Sequence, residues 1–138
     1  MFITEYDYKV IIGQSALAVL SQADSDNRAN AESQAVEEIS GYLRPKYDVE
    51  RIFSATGDSR NKMIVMFTCD IALYNMAASA GGRMNSEVRK ERYDRAIEWL
   101  ANVRSGKIVP ELPTVTTPDG QTGVPLRWGS EKRLNNVW

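Results

Sequence analysis

Apolar residues recur along this chain at helical intervals, interrupted wherever turn-forming residues intervene. Thr4 stands before Glu5-Tyr6-Asp7 and the apolar series Tyr8, Ile11 and Ile12, a pattern that predicts an N-capped short helix with acids in its first turn and Gly13 at its end. Ser15 to Ser21, with Leu17, Val19 and Leu20, predicts a second short helix returning to the same core. Asp24-Ser25-Asp26-Asn27 and Asn30 compete locally for backbone donors, so a turn and a helix cap are expected there. A longer helix follows, with Ala35, Val36, Ile39 and Leu43 as its buried stripe and Glu32, Glu37 and Glu38 mostly off it. Pro45 ends that helix, because its ring disfavours the α conformation at Arg44.

Lys46 to Arg60 alternates only weakly and is expected to be irregular, with Thr56-Gly57-Asp58-Ser59 as a turn offering cap residues to the next helix. From about Asn61 to Ala80 comes the most apolar stretch, with Ile64, Phe67, Ile71 and Tyr74 on one stripe and Met63, Met66, Leu73 and Ala77 beside it. A helix so broadly apolar belongs at the centre of the fold. Gly81-Gly82 supplies the freedom for a reversal, and Asn85 or Ser86 caps an antiparallel helix with Glu87 in its first turn. In that last helix Tyr93, Ala96, Ile97, Leu100 and Val103 form the buried stripe, Glu91 and Arg95 form an exposed pair, and Gly106 closes it.

Beyond Gly106 lie Pro110, Pro113, Pro118 and Pro125, four of the five prolines in the chain, so the tail cannot be helical for long. Val115 to Val124 surrounds the turn signal Pro118-Asp119-Gly120 and reads as a small β-hairpin or an extended arm. The expected fold is mainly α: a bundle of about four main helices with short N-terminal helices and an extended C-terminal arm. Residues 1–106 are the helical core domain and 107–138 the interaction arm.

Composition narrows the chemistry. With 43% apolar and 25% charged residues and a formal charge of −1, the chain has no global field to draw it onto nucleic acid or an anionic membrane. No apolar run reaches membrane-spanning length, and Met1-Phe2-Ile3-Thr4-Glu5 lacks the regions of a signal peptide, so an intracellular protein is expected. A single cysteine, Cys69, excludes an internal disulfide, and the absence of histidine removes the commonest general base and transition-metal ligand. No enzyme activity, cofactor or metal is expected.

Individual residues point the same way. Asp24, Asp26, Asn27 and Glu32 resemble part of a calcium loop, but Arg28 and Ala35 occupy positions that need oxygen ligands, so helix capping is the better reading. Cys69 and the pair Met63 and Met66 read as core filling. Asp70 lies in a helix expected to be buried and needs a cation, for which Arg44 and Arg92 are the candidates. Arg89, Lys90, Arg92 and Arg95 are interleaved with Glu87, Glu91, Asp94 and Glu98, as on a solvated or intersubunit helix face. Trp128 and Trp138 sit in a segment too polar to have its own core and read as interface anchors.

Three blocks in order carry a family resemblance: the opening Met1-Phe2-Ile3-Thr4-Glu5; Gly41-Tyr42-Leu43-Arg44-Pro45-Lys46-Tyr47; and the pair Cys69-Asp70-Ile71-Ala72-Leu73-Tyr74 with Arg92-Tyr93-Asp94-Arg95-Ala96-Ile97-Glu98-Trp99-Leu100, ending in Ser105-Gly106-Lys107-Ile108. Together they resemble the Mu-type phage head-tail connector (neck adaptor) proteins, long catalogued as a domain of unknown function. The resemblance covers Met1 to Ile108; the loop Asp48 to Lys62 lacks that family's proline-rich stretch, and Val109 to Trp138 aligns with nothing in it.

The resemblance implies a structural adaptor that forms a homo-oligomeric ring, dodecameric in the particle. Its partners would be the portal protein and a tail-side neck or stopper protein, with DNA passing only non-specifically and no membrane involved. Such a protein would reside in the bacterial cytoplasm during assembly and in the virion neck afterwards. Tyr42, Arg44, Tyr47, Lys107, Arg127, Trp128 and Trp138 are the interface candidates. The alternatives are a tail completion protein of the same particle and a helical regulatory or nucleic-acid-binding module, the latter marked by salt-dependent binding to duplex DNA.

Overall fold

The computed structural model describes residues 2–22, 24–79 and 86–115. These form α1 (Glu5–Lys9), α2 (Gln14–Leu20), α3 (Ser25–Leu43), α4 (Val49–Ser54), a 3₁₀ turn at Gly57–Ser59, α5 (Lys62–Ser79) and α6 (Ser86–Ser105). The chain is mainly α, as its periodicity predicts. Among the described residues the only strand-like pairing is an isolated antiparallel bridge between Tyr47 and Thr114.

The starts of α1, α3, α4 and α5 fall where a side chain can take up unsatisfied backbone N–H groups, whereas α2 follows Gly13, which has none to offer. Thr4 caps α1 in a reciprocal box: Asp7 N–H donates to Thr4 Oγ1 at 3.4 Å and Thr4 N–H donates to Asp7 Oδ2 at 2.7 Å. Asp24 Oδ1 accepts from the Asp26 N–H at 2.9 Å, so α3 starts at Ser25 and Asn30, expected in the cap region, lies inside the helix. Asn61 Oδ1 accepts from the N–H groups of Met63 and Ile64, a cap for α5 in place of the Thr56–Ser59 turn expected to supply one. Arg44 is the C-cap of α3 just ahead of Pro45.

α5 runs between α3 and α6 and packs against both, while α1 and α2 also rest on it. Contact on several sides explains its breadth of apolar residues: Ile64, Phe67, Cys69, Ile71, Leu73 and Met76 are all buried. α3 contributes Ala35, Ile39 and Leu43, and α6 contributes Ala96, Leu100 and Val103. Each fully buried aliphatic side chain contributes about 1.5–3 kcal/mol relative to exposure. Between α5 and α6, Tyr74 stacks on Tyr93 with ring centroids 4.2 Å apart, and Phe67 meets Trp99 at 5.1 Å.

Two expectations are corrected here. Lys46 to Arg60 is not irregular: Asp48 Oδ1 accepts from the Arg51 N–H at 3.2 Å and opens α4, whose Ile52 is buried and whose Phe53 meets the Phe2 ring at 4.9 Å. Met63 is not core filling, since it stands among the exposed large apolar residues, whereas Met66 is partly buried against the core.

Gly106 has φ +88°, a conformation glycine adopts without a Cβ penalty, and it turns the chain sharply after α6. The chain then runs back along the bundle. Ile108 and Leu112 pack on the core, the Asp48 N–H donates to Pro113 O at 2.8 Å, and the Val115 N–H donates to Lys46 O at 3.2 Å. The expected Gly81-Gly82 reversal, the cap at Asn85 and the hairpin around Pro118-Asp119-Gly120 lie outside the described residues, as do Arg127, Trp128 and Trp138.

Candidate interaction site

Helices α3 and α6 finish at the same end of the bundle, where their unsatisfied carbonyls favour cations. The Arg104 guanidinium lies 4.9 Å over the Tyr42 ring, joining the two helix ends. Arg44 is exposed and forks onto Glu37, with both nitrogen–oxygen distances at 3.1 Å. The Glu37 carboxyl is held below its usual range by that hydrogen bond and charge. Lys46 reaches towards Gly106, and Lys107 is exposed immediately beyond it. Four of the expected interface residues therefore share one region, but in different roles. Tyr42, Arg44 and Lys107 border a basic end, whereas Tyr47 is buried beneath it and its backbone pairs with Thr114.

At the α5–α6 seam Asp70 is fully buried and accepts from Arg92 Nε at 2.6 Å. Arg92 is thus its partner and Arg44, the other candidate, is not, being engaged by Glu37. Burial pushes the Asp70 carboxyl above its ordinary range, while the Arg92 bond and the charges of Arg92, Arg89 and Arg95 pull the other way.

The basic cluster of α6 does not form one solvated face. Arg89 is only 5% exposed, its Nε and Nη1 make no hydrogen bond among the described residues, and burial followed by repulsion from Arg92 holds its pKa below the ordinary arginine value. Lys90 faces solvent and bonds Asp94 at 2.8 Å, and this pair stands where Glu91 with Arg95 was expected. Arg95 instead lies 5.9 Å from the centre of the Phe67 ring.

Glu32 is likewise inside, 4% exposed, although its charge suggested the solvent side of α3. It accepts from Tyr8 Oη at 2.7 Å and has Arg28 Nε at 3.9 Å, which ties α1 to α3. Burial raises the Glu32 pKa against the opposing influence of Tyr8 and Arg28, and burial with the nearby Glu32 charge drives the Tyr8 hydroxyl far above its usual range. With Asp24 capping α3 and Glu32 turned inward, the acids of this turn do not converge. Among the described residues no group of three potential ligands could hold a metal ion. Cys69 is buried, and burial, reinforced by Asp7, Asp70 and Glu32, raises its thiol pKa and keeps it protonated.

A second surface had no counterpart in the sequence reading. Asp7 and Arg60, 2.7 Å apart, border a groove of about 290 Å³ between α1, the 3₁₀ turn and the α5–α6 pair. Arg60 also donates to Phe2 O at 2.8 Å, so it pins the N-terminal segment to the bundle. Burial disfavours the charged Asp7, but hydrogen bonds from Arg60 and Thr4 outweigh it and leave this carboxyl below the usual range. Among the described residues no helix is long and apolar enough to cross a membrane.

Comparison with known proteins gives one family match: the model described as Bacteriophage Mu, Gp36 covers residues 3–126. No curated protein and no solved structure matches. The matched span runs past Ile108, where the sequence resemblance stopped, through the return segment to residue 126.

Proposed function

Because this chain belongs to the bacteriophage Mu Gp36 family, we propose that it is a structural head-tail connector subunit of a tailed phage or prophage neck. In this reading copies assemble into a dodecameric ring beside the portal, with a tail-side neck or stopper protein on the other side and DNA crossing the channel without specific contacts. The family match across residues 3–126 carries the proposal. The work is mechanical and needs no turnover or cofactor. The subunit resides in the bacterial cytoplasm during assembly and in the virion neck afterwards.

The basic end formed by Arg44, Lys46, Arg104 and Lys107 around Tyr42 offers charge and an aromatic surface to a neighbouring protein. The segment 116–138 supplies Trp128 and Trp138. Such large aromatic side chains suit anchoring in pockets of another chain.

Electron microscopy of the full chain, alone and mixed with portal protein, tests this reading. Rings that stay inert to short duplex DNA at physiological salt are the expected outcome. A chain that never oligomerises and binds duplex DNA in a salt-dependent way would instead identify a regulatory module. Truncation sharpens the test. A chain ending at Val115 should keep its helicity and melting temperature while losing assembly. One ending at Gly106 also loses Ile108, Leu112 and the backbone bonds to Lys46 and Asp48, and should be destabilised by roughly 2–4 kcal/mol. Unfolding of the chain ending at Val115 would show that the arm belongs to the core.

A further inference from the structure

The groove beside α1 has an apolar floor and a basic rim. Ile11 and Met66 line it below, and Arg60, Lys62 and Arg92 line it with Asp7 as the one acid. Val10 on its lip is 74% exposed, which leaves apolar surface in water. Lys62 is exposed and makes no ion pair within the described residues, and Arg92 binds Asp70 through Nε alone. The lining therefore holds a surplus of positive charge.

The other flank of α1 has the opposite character. Glu5, Asp24 and Asp26 are exposed there with Arg28 as the nearby cation, and Arg28 is already drawn to Glu5 and Glu32. Val19, on the adjoining helix α2, is 55% exposed. Helical geometry separates the two flanks: with Tyr8 turned to the core, Asp7 falls on the side of α1 that lines the groove, together with Ile11 in the turn beyond the helix, and Glu5 on the other.

We propose that this groove receives the acidic start of α3 from a second copy of the chain, Asp26 and Asp24 pairing with Lys62 and Arg92 while Val19 covers the apolar lip at Val10. The proposal rests on the ring-forming reading above and says which faces meet. Opposite charges sit on different flanks of the same subunit, so the contact is head-to-tail. Repeated contacts of that kind close into a ring when the rotation between neighbours closes.

Cysteine cross-linking of the full chain tests the pairing. Neither Lys62 nor Asp26 hydrogen-bonds through its side chain within the described residues, so Lys62→Cys and Asp26→Cys should both fold, and buried Cys69 provides little background. Under mild oxidation a mixture of the two variants should give a disulfide-linked heterodimer in clear excess over the homodimers that each gives alone. In sedimentation experiments Lys62→Glu or Asp26→Lys should each weaken self-association roughly three- to tenfold, and the chain carrying both changes should recover it.

Homodimers as abundant as the mixed species, or additive losses in the double variant, would overturn the pairing. If the unmodified chain self-associates but the mixed cross-link fails, the face is wrong and the ring reading survives. If it stays monomeric at every concentration, both fall. If Lys62→Glu leaves self-association intact but removes salt-dependent binding to short duplex DNA, the groove is a phosphate site and the self-docking proposal is rejected.

Discussion

Asp7 and Asp70 each meet an arginine at short range, 2.7 Å to Arg60 and 2.6 Å to Arg92, yet their carboxyls shift in opposite directions. Asp7 lies in the first turn of α1, where backbone N–H groups lack intrahelical partners. It accepts from Thr4 N–H, the Thr4 hydroxyl and two nitrogens of Arg60. Asp70 lies in the middle of α5, where the backbone donors are already committed to the helix. Among the described residues it accepts one bond, from Arg92, and its Oδ2 has no hydrogen-bond partner. Asp7 is also less deeply buried than Asp70, so a smaller desolvation penalty and more donors together let its arginine prevail, while full burial with a single donor leaves Asp70 raised.

The strongest way to break the comparison is to place a carboxylate next to Asp70 with no arginine at all. Ile71 is fully buried, and Ile71→Asp should destabilise the fold by about 3–5 kcal/mol in urea melts. An unchanged midpoint would mean that the α5 core does not exclude water at this position.

The next effect is the coupling across the seam. A double-mutant cycle of Asp70→Asn with Arg92→Gln should give an interaction of about 1–3 kcal/mol, whereas the cycle with Arg44→Gln should be additive because Arg44 is held by Glu37. Equal coupling to both arginines would contradict the geometry.

The smallest effect is in the pH dependence, where the two acids differ in sign. Asp7, lowered from an ordinary value of 3.8, gives stability that is fully present above that value and is lost as pH falls through the depressed folded-state pKa. Asp7→Asn should therefore cost about 1 kcal/mol near neutrality and less in acid. Asp70 is raised, so its contribution is greatest below pH 3.8 and is lost as pH rises through the folded-state pKa. The gap between the unmodified chain and Asp70→Asn should narrow on going from pH 3 to pH 7. Parallel pH profiles for the two variants would remove the distinction.

The features legible in the sequence were those fixed by near neighbours. The caps at Thr4 and Asp24, the stop at Pro45, the broad stripe of α5 and the glycine after α6 all depend on residues a few positions apart. The arginine for Asp70 was narrowed to two because a buried charge demands a partner. Glu32 and Arg89 were missed although the signal was present: Glu32 is seven positions before Ile39, and Arg89 seven before Ala96, so both fall on buried stripes. Their charge argued for solvent, and only the neighbours Tyr8 and Asp70, distant in sequence, make the interior tolerable. α4 had a signal of its own in Asp48 followed by Val49, Ile52 and Phe53, but its six residues are too few to stand out. The groove joins residues from α1, the 3₁₀ turn, α5 and α6, and no local pattern could have placed them together.

The backbone bonds joining residues 46–48 to 113–115 have a consequence for the order in which the molecule forms. They fasten the ends of a loop that contains nearly half the chain, including α5 and α6. Closing so long a loop carries an entropic cost that a few hydrogen bonds cannot offset by themselves, so the clasp can hold only after the enclosed helices have docked. It therefore forms late and opens early. Amide exchange at Asp48 and Val115 should be faster than in the middle of α5, and a neighbouring subunit that gripped this segment would lock the late step of folding into place.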